Sequence, residues 1–117
     1  MDFTLRLGIL RDAGQLSQEN YDKIMEMIKY FDEEKGVKLL EENASMFITH
    51  LAAALKRIDE NNIVNEMDKE IRLALELESK YKEAVEVTKN LEKILGNIPK
   101  AEFEFLVMHV CTLIQKH

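Results

Sequence analysis

Residues 98–116 read IPKAEFEFLVMHVCTLIQK, and this segment is the strongest indication of the fold. Its central part is almost wholly apolar, with nine such residues between positions 103 and 114: Phe103, Phe105, Leu106, Val107, Met108, Val110, Cys111, Leu113 and Ile114. A surface helix needs only one apolar stripe, so this composition predicts a helix that is apolar nearly all round and lies inside a bundle. The apolar part falls well short of the ~20 residues that span a bilayer, which favours burial in protein.

The composition is that of one ordinary globular domain. The chain has 117 residues, of which 46% are hydrophobic and 32% are charged, and this length supports a single core. Glycine and proline interrupt helices, and the chain contains only four glycines and one proline. The expected fold class is therefore all-α, a compact bundle of about five helices.

The charge balance bears on partners and compartment. The net charge is −6 and the basic residues are interleaved with acidic ones, which argues against direct nucleic-acid binding. The single cysteine, Cys111, lies among apolar residues and is interpreted as a buried, unreactive thiol. The N-terminal residues do not resemble a signal peptide, so we expect a cytoplasmic protein without membrane contact.

Local signals place the first helices. Residues 1–16, broken by two glycines, are interpreted as a short N-terminal arm, either extended or a brief strand, ahead of a helical domain over 17–117. Ser17 is a suitable N-cap for a first helix that Gly36 ends. A second helix is expected over about 38–60.

Helical periodicity resumes over positions 66–95, as one long helix or as two. If there are two helices, the break is expected at Glu78–Ser79, because the apolar stripe changes phase there. Pro99 fits the first turn of the last helix, where a missing amide hydrogen costs nothing.

His50 and His109 are the candidate functional residues, because each lies in an apolar stretch of a predicted helix. Such a histidine is usually a core residue whose ring nitrogens are satisfied by neighbours. A metal site would need three or four ligands at close spacing, and neither an HExxH motif nor a cysteine pair is present. No motif for nucleophilic hydrolysis is present either, so we expect neither an enzyme nor a metal or cofactor site.

Phosphoryl acceptance is a further chemistry that suits the two histidines. An imidazole with an ordinary pKa of ~6.5 is mostly neutral and nucleophilic near physiological pH. An attached phosphoryl group adds roughly −1.5 to −2 charges and three acceptor oxygens, by analogy with other phosphorylated side chains. Such a charge between packed helices could weaken an interface or change the way in which it docks.

The two histidine segments resemble the PTS regulation domain (PRD), a helical regulatory domain found in bacterial antiterminators and transcriptional activators. In the first segment, FITHLAAALKR, the pattern is matched by His50, Leu51, Ala54 and Arg57. In the second, IPKAEFEFLVMHV, it is matched by Pro99, Glu102, Phe105, Leu106 and His109. The resemblance extends from about residue 16 to residue 116.

The resemblance implies that His50 and His109 accept phosphate from a phosphocarrier or a sugar-specific component of the phosphotransferase system. It also implies supporting roles for Arg57 and Glu102, transcription regulation through partners or self-association, and a homodimer. With one copy of the domain and about sixteen residues before it, the chain is not expected to act as an antiterminator alone. Two positions that are commonly aspartate in the family are Thr49 and Ala101 here. They favour the alternative, a structural interaction module that has lost phosphoacceptor function.

Overall fold

Six α-helices and no β-strand make up the regular structure of the computed structural model, which describes residues 3–62 and 64–115. The helices are α1 Phe3–Asp12, α2 Gln18–Glu34, α3 Glu41–Asp59, α4 Lys69–Glu76, α5 Tyr81–Leu95 and α6 Lys100–Gln115. The all-α prediction is confirmed, with one helix more than the about five expected. Positions 1, 2, 116 and 117, from the predicted arm and the predicted last helix, lie outside the described residues, as does Ile63. The chain divides within α3 into two compact units, Met1–Lys56 and Arg57–His117.

The additional helix is α1, and the interpretation of this segment as extended or as a brief strand is wrong. Apolar residues alternate at positions 3, 5, 7 and 9, and two of them, Phe3 and Leu7, are buried one turn apart while the other two are exposed. Gly8 costs an isolated helix about 1 kcal/mol relative to alanine. Contacts with the rest of the first unit offset that cost, including the ion pair of 3.2 Å between Arg6 and Glu41 of α3. The domain boundary after residue 16 stays a prediction.

α2 begins and ends where the sequence indicates. The Ser17 hydroxyl accepts a hydrogen bond of 3.1 Å from the backbone amide of Asn20, which satisfies one of the unpaired donors of the first turn. The helix ends at Glu34, and Gly36 follows with a φ of 65°. This left-handed conformation suits glycine, which has no Cβ to clash with the backbone.

The core of the first unit joins α2 to α3 through aromatic rings. Phe31 of α2 is fully buried and meets Phe47 of α3 edge to face, with ring centroids 6.0 Å apart. α3 begins at Glu41, three residues later than predicted, and the Asn43 side chain accepts a hydrogen bond from the Leu40 amide just before it. Phe47 lies three residues before His50, so this ring contact holds the part of α3 that carries the histidine.

The second unit is built around α5 and α6. The predicted break near Glu78–Ser79 is confirmed, since α4 ends at Glu76 and α5 begins at Tyr81. α5 packs against α6 along its buried residues, and Gly96, with a φ of 94°, follows the last residue of α5. Every residue of α6 from position 101 to position 111 is buried or half-buried, which is the enclosure that its apolar composition predicts.

Candidate functional site

The two candidate histidines lie on different helices and in different units. His50 is on α3 within the first unit and is exposed to solvent. His109 is on α6 within the second unit and is half-buried. A histidine with solvent access can be approached by an external group, whereas a wholly enclosed ring cannot. His50 therefore lies beside the buried stripe of α3 and not within it.

The two positions at which this chain lacks the family's usual aspartate differ in their exposure to solvent. Thr49 precedes His50 and is exposed, while Ala101 lies near the start of the second segment and is buried. Neither residue carries a carboxylate that could orient an imidazole or balance its charge. These positions therefore add no acidic group to either histidine segment.

Arg57 and Glu102, the predicted supporting residues, form a bidentate ion pair within the second unit. The guanidinium Nε and Nη2 donate to the two carboxylate oxygens of Glu102 at 2.9 and 3.0 Å. The Glu102 side chain is 5% exposed, while the Arg57 side chain is 36% exposed. The hydrogen bond to Glu102 raises the pKa of Arg57, burial opposes that shift, and the charge of Glu102 adds to it. Two parallel hydrogen bonds to one carboxylate fix both distance and orientation.

The ion pair has the same spacing from a histidine on each helix. Arg57 follows His50 by seven residues on α3, and Glu102 precedes His109 by seven residues on α6. Seven residues are about two helical turns, or about 10 Å, so each pair shares a helix face. The ion pair therefore joins the first turn of α6, the helix that carries His109, to Arg57 of α3.

A cavity of about 300 Å³ opens beside this ion pair within the second unit. Its walls are mainly apolar and include Ile58, Ile98 and Pro99, while Glu102 and three asparagines supply the polar lining. Asn61, one of these asparagines, adopts a left-handed φ of 57° at the turn after α3. Asparagine tolerates this conformation better than most residues, which explains its place at the turn. The buried carboxylate of Glu102 thus binds Arg57 and also lines this cavity.

Within residues 3–62 and 64–115, no three His, Cys, Asp or Glu side chains are grouped so that they could hold a metal ion. No helix in the same ranges combines the length and the apolar character needed to cross a membrane.

Glu104 and Arg72 are polar residues that sequence reasoning missed. Arg72 Nη1 of α4 lies 3.7 Å from Glu104 Oε1 of α6, and the Glu104 side chain is only 14% exposed. Glu104 Oε2 is buried and has no hydrogen-bond partner among the described residues. The available signal was an acidic residue one turn before Met108 within an apolar helix, a position where a charge is costly unless it is paired.

Cys111 is buried, as predicted, and its chemistry can be tested. Burial raises the pKa of the Cys111 thiol, and the charge of Glu78 raises it further. The neutral thiol is favoured by folding, so its stabilising contribution is present below the pKa of the unfolded thiol and is lost as pH rises through the folded pKa.

We expect iodoacetamide at pH 8 to modify Cys111 at least about tenfold more slowly in the native chain than in urea, because reaction requires local opening of the structure around the thiol. Equal rates by mass spectrometry would contradict this.

The chain matches a protein-family model. The model of the PRD domain matches residues 25–112, which is well over half of the chain and includes His50, Arg57, Glu102 and His109. No curated protein and no solved structure matched the chain in the corresponding comparisons.

Proposed function

Because the chain belongs to the PRD domain family, a family of regulatory domains linked to the sugar phosphotransferase system, we propose that it is a phosphorylation-responsive regulatory module. It accepts a phosphoryl group on His50, His109 or both, and it acts on transcription-related partners or on its own association rather than by catalytic turnover. The observation that carries this proposal is the family match across both histidine segments, together with the exposure of His50 and the partial exposure of His109.

The chemical step is a transfer between two imidazoles. A neutral ring nitrogen of His50 or His109 attacks the phosphorus of a phosphohistidine on the donor protein, in line with the bond that breaks. The new N–P bond forms as the donor N–P bond breaks, and the donor histidine recovers its electron pair and takes up a proton. The other ring nitrogen of the acceptor then releases its proton to solvent, so one proton and one phosphoryl group have been exchanged between the two histidines.

The consequence of transfer is a change of charge. The phosphoryl group adds roughly −1.5 to −2 charges to a chain whose net charge is already −6. Added negative charge weakens contacts with acidic surfaces and strengthens contacts with arginine-rich ones. We propose that this change switches a homodimer or a partner complex in the cytoplasm, with a phosphocarrier or a sugar-specific component as the donor.

A structural interaction module is the second candidate. Thr49 and Ala101 favour it, because neither supplies the carboxylate that would orient a phosphoacceptor imidazole. In this case His50 and His109 contribute only contacts, and replacing either with glutamine leaves partner binding unchanged.

Intact mass separates the two candidates. The protein is incubated with phosphoenolpyruvate and the general phosphotransferase proteins, and wild type is compared with His50→Ala and His109→Ala. We expect an acid-labile phosphoryl adduct in wild type that is lost in the variant lacking the acceptor. Circular dichroism of each variant shows whether it has kept its helices.

A phosphorylatable control domain in the same tube establishes that the donor proteins are active. If the control is modified and this chain is not, sugar-specific components are added in turn. Absence of an adduct with every donor would refute phosphoacceptance and support the structural module.

A further inference from the structure

A groove between α4 and α6, within the second unit, has no role in the proposed phosphorylation. Its apolar lining comes from Ile71 and Leu75 of α4 and from Met108 and Cys111 of α6, and Glu78 and Gln115 lie at one end. We refer to these six residues as the α4–α6 groove. Arg72 and Glu104 form an ion pair between the same two helices, so the groove lies between two polar bridges.

The groove is an open depression that is too small for an ordinary ligand. Leu75 and Cys111 are buried at 8% and 2% exposure, while Ile71 remains 50% exposed. The volume is about 210 Å³, below the ~300 Å³ at which small-molecule pockets begin. Gln115 Nε2 donates to Glu78 Oε2 at 2.8 Å at one end. The space therefore suits one large apolar side chain entering from solvent.

The surroundings of the groove are acidic. Positions 66–78 contain five acidic residues, Glu66, Asp68, Glu70, Glu76 and Glu78, against two basic ones, Lys69 and Arg72. Arg72 already faces Glu104, so its charge is engaged across the two helices. An approaching segment with positive charge is attracted to this surface, and one with negative charge is repelled.

Glu104 supplies a second, independent indication of a cationic partner. It lies one turn before Met108, on the face of α6 that lines the groove. Its buried Oε2 has no hydrogen-bond partner among the described residues, although Oε1 lies 3.7 Å from Arg72. Because this oxygen is closed to solvent, Glu104 attracts a cationic partner through its charge and not through a direct contact.

We propose that the α4–α6 groove docks a basic amphipathic helix of a partner protein. One large apolar side chain of that helix enters over Leu75 and Cys111, and a flanking lysine or arginine, one turn away, reaches Glu78. This is the helix-in-groove mode, in which anchors recur at i, i+3 or i+4. Docking does not require a phosphoryl group on either histidine, so it goes beyond the proposed function.

A designed peptide tests the proposal on the whole, unphosphorylated chain. The probe is a fluorescein-labelled amphipathic helix of leucine and lysine, and its twin carries glutamate at every lysine position. We expect anisotropy to show saturable binding of the basic peptide, weakened by salt, and no binding of the acidic one. Absence of binding by the basic peptide, or equal binding of both, would overturn the proposal.

Matched substitutions locate the binding site. Ile71→Ser and Glu78→Gln are each expected to weaken binding about fivefold, which corresponds to roughly 1 kcal/mol. The controls are Leu77→Ser and Glu76→Gln, which make the same chemical changes beside the groove, and they should alter affinity less than about twofold. Leu77 is 87% exposed, so its replacement removes apolar surface without disturbing the core. Equal weakening by test and control variants would show attraction by net charge alone and overturn the proposal.

Cys111 provides a direct readout of occupancy, since it is the only cysteine and lies in the groove floor. Bound basic peptide should slow its reaction with an aromatic disulfide reagent at least about threefold, because the buried thiol reacts only when the groove opens and the bound side chain opposes that opening. Binding by anisotropy with an unchanged reaction rate would place the peptide elsewhere and overturn the proposal. The mass experiment on the histidines is independent, so failure of one does not imply failure of the other.

Discussion

Replacing Arg57 with alanine is expected to lower the free energy of unfolding by about 2–4 kcal/mol, as measured by urea denaturation. The substitution removes both hydrogen bonds to the Glu102 carboxylate and leaves that group 5% exposed without its counter-charge. Removing one partner of a buried ion pair costs about 3–5 kcal/mol, because the other charge stays buried. Arg57 itself is 36% exposed, so water can enter and reduce the loss.

Graded variants separate the charge of Arg57 from its shape. Arg57→Lys keeps the positive charge and loses the bidentate geometry, so we expect about half of the full loss. Glu102→Gln removes the buried charge and should cost less than Arg57→Ala. The double substitution Arg57→Met with Glu102→Leu should recover part of the loss, because no buried charge remains.

Lys23→Ala is the matched control for an ion pair at the surface. Lys23 lies 3.2 Å from Glu19, whose side chain is 78% exposed, and such pairs contribute less than about 1 kcal/mol. If Arg57→Ala costs no more than Lys23→Ala, then the Arg57–Glu102 pair does not anchor α6. The positioning role that we assign to the pair would then be wrong.

The second large effect concerns Phe31, and Phe31→Ala is expected to cost about 3–5 kcal/mol. The ring is fully buried, and its centroid lies 6.0 Å from that of Phe47 and 5.6 Å from that of Tyr30, both edge to face. Alanine removes the buried apolar area and leaves a cavity that the surrounding helices fill only in part. Urea denaturation measures the total loss.

The same substitution should act on the segment that carries His50. Phe47 loses its edge contact and lies three residues before His50, so amide hydrogen exchange across that part of α3 should become faster. Phe31→Leu keeps most of the volume and should cost less than about 2 kcal/mol. Tyr30→Ala, at the neighbouring half-buried ring, is the control and should cost less than Phe31→Ala. Exchange in α3 that is unchanged in Phe31→Ala would contradict the role of this contact.

Local chemistry explains which elements could be predicted. The hydroxyl of Ser17 can satisfy an amide of the first turn, and Gly36 can adopt a left-handed φ, so both ends of α2 follow from nearest neighbours. The change of apolar phase near Glu78 marks the break between α4 and α5. The dense apolar run of α6 requires burial, and Cys111 is buried with it.

From the sequence, the members of the site could be predicted as individual residues, but the contacts between them could not. Resemblance to the family indicated His50, His109, Arg57 and Glu102, and the family match now includes all four. That Arg57 and Glu102 bind each other across 45 positions of sequence could not be predicted, because no local spacing relates them. The ion pair between Glu104 and Arg72 could not be predicted for the same reason.

Four features could be predicted from the amino-acid sequence: the all-α class, the limits of α2, the break between α4 and α5, and the burial of α6. These features depend on backbone propensity and on the periodicity of apolar residues, which act over a few neighbouring positions. Three features could be seen only in the tertiary structure. Residues 3–12 form a helix despite Gly8, Arg57 binds Glu102, and a groove lies between α4 and α6. Each of these depends on side chains from distant segments, whose burial and charge pairing outweigh a local preference of about 1 kcal/mol.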